Sequence, residues 1–349
     1  MEESARIAAV RRYIRENWSH TIRLPEESDS DAIRLPQPYV VPTAGPEFRH
    51  MFYWDTCFAC EGLARDGRWD LVKACADNLI YLCDSLGFIP NSTFHLCLDR
   101  SQPPVASFLF RMVHRKLQDR EWAARALRAL EQEHAFWTNF RTGAEGLTHY
   151  GHHSTPKQVE GFYEIVKERL RGIPEGLEER QSHLTHALAE AESGWDFTPR
   201  FDQRCRDFYP VDLNSLMFHL ERQLADFAGE LVFPEKARFW SDRAHVRQRR
   251  MEQFLWDDAQ GVFLDYDRQQ GDRSPLVSAA TFFPLWSGAA TAAQAKRVQR
   301  NLSMLESEHG LTTCAPGGPR PEGQLYQWDD PNCWPPLVYA AMTGLRRYG

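Results

Sequence analysis

The run Glu192-Ser193-Gly194-Trp195-Asp196-Phe197-Thr198-Pro199-Arg200 sets one acid between two aromatic side chains, four residues ahead of an arginine. A carboxyl flanked by Trp195 and Phe197 is partly desolvated. Desolvation favours the protonated form, which makes Asp196 a candidate proton donor near neutrality. The same residues also read as a loop acid bonded to local backbone. Four further clusters combine acids, amides or guanidinium groups with aromatic or proline residues. Phe52-Tyr53-Trp54-Asp55 follows Phe48-Arg49, and Ile89-Pro90-Asn91 precedes Arg100-Ser101-Gln102-Pro103-Pro104. Pro210-Val211-Asp212-Leu213-Asn214-Ser215 opens a helical pattern, and Tyr326-Gln327-Trp328-Asp329-Asp330-Pro331-Asn332 lies near the end. Each alone has a plain structural reading, as a helix-terminal charge, a cap or a turn.

Together these residue types suit glycoside hydrolysis. Sugar hydroxyls are matched by amides, carboxylates and guanidinium groups, and the C–H face of the ring by an aromatic plane. Cleavage needs one protonated and one ionised carboxyl, about 6.5–9.5 Å apart in an inverting enzyme so that a water fits between. No Ser or Cys has a comparable nucleophilic arrangement, and the histidines are scattered rather than spaced as metal ligands, so no metal is expected.

Helical periodicity dominates the segments that carry these clusters. Helices are expected at 3–18, 54–64, 69–86, 102–117, 119–139, 161–171, 178–190, 212–228, 235–256, 276–288, 291–306 and 335–347. Gly87 is placed to end the third of them. Residues 19–52, 140–160 and 315–323 read as loops, and 261–267 as one short strand. With strand pattern so scarce a parallel sheet is ruled out, and the expected fold class is all-α: paired helices in a toroid of hairpins whose loops gather at one mouth.

The 349 residues suffice for one large domain or two ordinary ones. A net charge of −7 without basic blocks argues against nucleic acid or an anionic membrane as partner. The 11 Trp, 11 Tyr and 21 Phe often sit beside acids and amides, as carbohydrate-facing rings do and as ordinary core rings also can. Among eight cysteines Cys57-x-x-Cys60 stands alone in an apolar helical stretch and reads as core thiols. The first 23 residues are charged throughout, without an apolar signal core, and no stretch approaches a membrane span, so a reduced cytoplasmic protein is expected.

At these residues the chain resembles the trehalase family, glycoside hydrolase family 37. The matching segments, in the family's order, are Phe48-Arg49 with Tyr53-Trp54-Asp55, Gly67-Arg68-Trp69-Asp70, Gly87-Phe88-Ile89-Pro90-Asn91, Arg100-Ser101-Gln102-Pro103-Pro104, the run from Glu192 to Phe197 with Arg200, and Gln327-Trp328-Asp329 with Pro331-Asn332. The resemblance implies an (α/α)6 toroid and an inverting hydrolase that acts on α,α-trehalose without a cofactor. It implies Asp196 as general acid and Trp54, Asp55, Asn91, Arg100 and Gln102 as substrate contacts. Trp195, Arg200, Trp328 and Asp329 lie in family motifs and are carried as substrate-binding. One catalytic domain is expected over residues 1–349, with a helix and loop at 1–41, and the small carbohydrate as its partner.

Three departures accompany the resemblance. Gly45-Pro46-Glu47-Phe48 puts Glu47 where the family carries a substrate-binding arginine. The family's Arg-x-Glu segment has no clean counterpart around Pro156-Lys157-Gln158-Val159-Glu160. These two extend the expected substrates to other small α-glucosides. The family's general base is a Glu in a Glu-Lys-Tyr-like motif, which the sequence does not reach before Gly349. The expectation is therefore a fragment lacking its last hairpin, or an internal base, Glu322 or Asp329. A sugar-binding protein that kept the pocket and lost the base is the alternative.

Overall fold

Leu71, Val72, Cys75, Leu79, Leu82 and Cys83 recur at the spacing of one helix face, and all are buried. In the computed structural model, which describes residues 5–27, 29–170, 172–317, 320 and 326–349, they form the inner side of a helix from Trp69 to Leu86. Glu322 and part of the 315–323 loop lie outside the described residues. The chain forms two compact units, Met1–Ser101 with Val105–Gln132, and Gln102–Pro104 with Glu133–Gly349.

The first unit contains α1 (Ala5–Thr21), α2 (Tyr53–Arg65), α3 (Trp69–Leu86), α4 (Ala106–Leu117) and the start of α5 (Arg120–Arg141). Cys57, Cys60 and Leu63 of α2 pack in the core it shares with α3, so Cys57 and Cys60 are core thiols as expected. Gly87 ends α3 at φ 79°, a left-handed conformation that glycine adopts without a Cβ clash, and its N–H reaches Cys83 O at 2.8 Å. α4 opens at Ala106 and not at 102, because neither proline of Pro103-Pro104 can donate and each disfavours helix in the residue before it. The Tyr53 hydroxyl accepts the Ala106 N–H at 2.9 Å, which satisfies a donor at the helix start.

The second unit holds α6 (Pro156–Val166), α7 (Leu177–Ser193), α8 (Val211–Glu230), α9 (Pro234–Leu255), α10 (Phe283–Ser287), α11 (Ala292–Arg300) and α12 (Pro335–Tyr348). α6 lies five residues earlier than the periodicity suggested. Thr155 and Gln158 form a capping box there, and Pro156 occupies the first turn, where its missing N–H costs nothing. α6 and α7 join through Val159, Phe162, Val166, Leu184 and Leu188, a cluster that also takes in Phe197 and Tyr326. The single strand expected at 261–267 is two separate pieces. Val262–Phe263 pairs with Trp256–Asp257, whereas Tyr266–Asp267 pairs with Phe208–Tyr209 and Asp272–Arg273. The break falls at Asp265, which turns into a buried ion pair. The fold is all-α: twelve α-helices among the described residues, with labelled strands of two residues each, all paired antiparallel. No described helix is long and apolar enough to cross a membrane.

Between α8 and α9 the Arg247 guanidinium grips Glu221 through Nε (3.0 Å) and Nη2 (2.9 Å), and His134 Nε2 lies 3.1 Å from the same carboxylate. Burial alone would raise Glu221, but Arg247 and His134 override it and hold the carboxyl down at about 2. A depressed carboxyl stabilises the fold above its unfolded pKa and loses that contribution as pH falls through the folded value. The unfolding free energy measured in urea is therefore expected to drop between about pH 4.5 and 2, by roughly 3 kcal/mol from this group. Glu221→Gln should abolish that part of the drop, and parallel acid profiles for the two proteins would refute it.

Candidate active site

α7 runs one turn beyond its expected end because its last residues are held by side-chain partners. Both Glu192 oxygens are taken by Arg141, from Nε and Nη2 at 3.0 Å each, and Gly151 donates its N–H at 2.6 Å. Ser193 Oγ donates to Glu190 O at 2.6 Å and accepts the Trp195 N–H at 3.1 Å. Gly194, at φ 75°, turns the chain out of the helix. The loop that follows carries Asp196 and is tied to the other late motif: Phe197 O accepts the Trp328 N–H at 3.0 Å. The Trp195 and Trp328 rings lie 5.6 Å apart, and Trp328 stacks on Trp334 at 4.4 Å. Two motifs more than 120 residues apart thus form one aromatic-backed loop pair.

Within this pair Asp196 is partly exposed, its side chain at 32%, as is Asp330, whereas Glu190, Glu192 and Asp329 are buried. Arg169 reaches it: Nη2 is 3.5 Å from Asp196 Oδ2 and 2.7 Å from Gln327 Oε1, and the guanidinium lies 5.0 Å from the Phe197 ring centre. Sequence reasoning missed Arg169, which stands in no motif. In the sequence it was one cation of the helix expected at 161–171.

Arg200, expected as a sugar contact, has another task. Its side chain is fully buried and every guanidinium nitrogen donates to a carboxylate: Nη1 and Nη2 to Asp212 at 3.1 and 3.0 Å, Nε and Nη2 to Asp265 at 3.0 and 2.8 Å. The same group lies 4.1 Å over the Trp195 ring. Arg200 therefore clamps three segments behind the loop instead of facing a ligand. Trp195 is buried with it. The 210–215 cluster belongs to the same frame, since Asn214 Oδ1 accepts the Thr148 N–H and Arg247 Nη1 at 2.9 and 3.2 Å. Asp329 is engaged by Arg320 Nε and Nη2 at 2.6 and 2.5 Å and by the Asp330 N–H at 2.7 Å.

In the first unit the expected contacts are brought together by backbone. Asn91 N–H donates to Arg100 O at 2.8 Å, and Asn91 O accepts the Tyr53 N–H at 3.0 Å, so Asn91 and Arg100 adjoin the helix start that bears Trp54 and Asp55. Arg100 is nearly buried beside Asp99, 2.5 Å away, and Trp54 packs edge-on to Phe58 at 5.8 Å. Gln102 is a buried residue of the second unit. Folding also gathers Asp29, Asp31 and His50, whose ligand atoms lie within 4.8 Å of one another, a proximity invisible in their spacing.

The trehalase family profile matches residues 2–349. A periplasmic trehalase of Pseudomonas aeruginosa is 34% identical over 97% of this chain and 64% of its own length. One of Xanthomonas campestris pv. campestris is 32% identical over 98% of this chain and 62% of its own. The chain thus spans less than two thirds of the length of these relatives. Among solved structures, neutral trehalase from Saccharomyces cerevisiae superposes with a TM-score of 0.78 at 28% identity, covering 90% of this chain and 64% of that one. A GH63 mannosylglycerate hydrolase from Thermus thermophilus, in complex with glucose, gives 0.68 at 18% identity over 97% and 86%, a likeness of fold alone. The all-α, (α/α)6 class expected from the sequence is the class these likenesses show. The cytoplasmic expectation is corrected: the relatives are named periplasmic trehalases. Core thiols and a charged leading stretch describe packing and local helix, and neither reports a compartment.

Proposed function

Because the chain belongs to the trehalase family, we propose that it hydrolyses the α-glucosidic bond of α,α-trehalose, or of a related small α-glucoside, with inversion and with Asp196 as general acid. The observation that carries this reading is the partly exposed Asp196 on a loop pinned to the Trp328 segment, backed by buried Trp195 and Arg200. Asp196 gives its proton to the glycosidic oxygen as the bond to the anomeric carbon breaks. An ionised carboxylate on the opposite ring face takes a proton from the attacking water. Asp329 does not fill that second role in this reading, being held by Arg320, and Glu322 lies outside the described residues. A protonated Asp196 no longer attracts the Arg169 guanidinium as an ion does, so Arg169 is available to a substrate hydroxyl in the loaded site.

Trp54, Asp55, Asn91, Arg100, Gln102 and Trp328 are kept as the proposed sugar contacts, and residues 1–349 as one catalytic domain. The other reading, a sugar-binding protein without turnover, draws no support from relatives named trehalases.

The test is glucose release from trehalose and other α-glucosides by the purified protein, with anomers followed by proton NMR. Inversion predicts equal initial amounts of α- and β-glucose from trehalose. Initial release of α-glucose alone would overturn the stereochemistry. No release above an enzyme-free blank would overturn the hydrolase reading.

A further inference from the structure

Glu190 lies one turn before the end of α7, buried beneath the loop that carries Asp196. Its Oε2 accepts the Thr198 N–H at 3.3 Å. It borders a cavity of about 10 Å³, close to what one water needs, lined also by Leu170, His183, Phe197, Gln203 and Tyr326. Among the described residues no cation contacts this carboxyl.

Burial pushes Glu190 up to about 8; the Thr198 N–H opposes this, the Asp196 charge adds to it, and Arg200 acts against it. The groups facing Glu190 come from each element around it. On α7 itself His183 is kept down by burial. The segment after α7 supplies Asp196, Arg200 and Cys205, the thiol raised by burial, and the late loop supplies Tyr326, its hydroxyl likewise raised by burial. Near neutrality Glu190 is an uncharged carboxyl whose backbone partner belongs to the acid's own loop.

Resting on the reading of Asp196 as the acid, we propose that Glu190 is its positioning residue: uncharged, it props segment 196–198 from below, and its ionisation sets the alkaline limit of turnover. Among the described residues no cation touches an anion at this place, and burying such a charge is costly. Water drawn into the cavity solvates the new charge, and repulsion between that charge and Asp196 shifts the acid from its place. Small misplacements of a proton donor are enough to cost large factors in rate.

The sign follows from linkage. Between about pH 4.5, where an unfolded Glu titrates, and about 8, the native chain holds a proton that the unfolded chain has lost, so Glu190 lowers stability progressively as pH rises through that window. The experiment measures kcat and KM from pH 5 to 10, each profile normalised to its own maximum, and Tm in the same buffers, for wild type, Glu190→Gln and Glu190→Met. For Glu190→Gln the alkaline limb of kcat should move up by about one pH unit or more, with KM little changed, and the wild-type decline in Tm between pH 5 and 8 should flatten. Glu190→Met should flatten Tm in the same way, so a poorly folding Gln variant does not remove the test. A kcat limb or a Tm profile that overlays wild type overturns the proposal. If wild type releases no glucose, the hydrolase reading fails, and this inference is decided by the Tm profiles alone.

Discussion

Asp196→Asn is expected to lower kcat on trehalose by about 10²- to 10⁴-fold, with KM changed much less. Asparagine keeps the shape of the side chain and an oxygen for the Arg169 guanidinium, but carries no transferable proton at any working pH. The loss therefore falls on bond cleavage, not on binding. Asp196 is partly exposed and stands apart from the buried Arg200 pairs, so Tm should move by no more than a degree or two. The decisive comparison uses a substrate whose leaving group departs without protonation, such as α-glucosyl fluoride. A variant lacking only the acid recovers most of its rate there, whereas one lacking the base loses both substrates equally. Equal losses on trehalose and fluoride would move Asp196 out of the acid role, and unchanged turnover on trehalose would remove it from the chemistry.

What the sequence displayed of this site is its local part. Gly87 and Gly194 mark helix ends because glycine takes the left-handed conformation without a Cβ clash, and both lie where the pattern breaks. The Asp196 loop was legible as an acid between aromatics because those neighbours in the chain remain its neighbours in space. Arg200 was not, because what occupies it lies 12 and 65 residues away, and Asp265 was concealed in what read as a continuous strand. Glu190 was no more than the last residue of the helix expected at 178–190. Only the packing of Phe197 and Tyr326 around it turns that position inward. Arg169 follows α6, whose start depended on a Thr155–Gln158 capping box and not on apolar period. Where partners are near in sequence the chemistry could be read. Where they are brought together by folding, side-chain roles changed even though the helices stood close to where they were expected.

Arg200→Met should cost about 5 kcal/mol of unfolding free energy, the upper end for breaking a buried ion pair, because one guanidinium serves two carboxylates. Methionine preserves much of the volume and can still lie against Trp195. The penalty is therefore chiefly electrostatic: Asp212 and Asp265 are both buried, and their remaining donors, Tyr150 Oη at 3.3 Å and the Val211 N–H at 2.9 Å, carry no charge. Burial already raises Asp265 despite Arg200, so removing the guanidinium leaves that acid to take up a proton or draw in water. Neutralising both carboxylates in Arg200→Met/Asp212→Asn/Asp265→Asn should recover several kcal/mol relative to Arg200→Met alone, since uncompensated charge and not lost contact dominates. Urea unfolding at pH 7 measures both differences. A midpoint for Arg200→Met close to wild type would refute the clamp, and a raised KM in that well-folded variant would return Arg200 to the sugar. The clamp predicts the reverse order of effects. Stability falls first, and Asp196 loses its place because its loop is no longer tied through one guanidinium to Asp212 and Asp265.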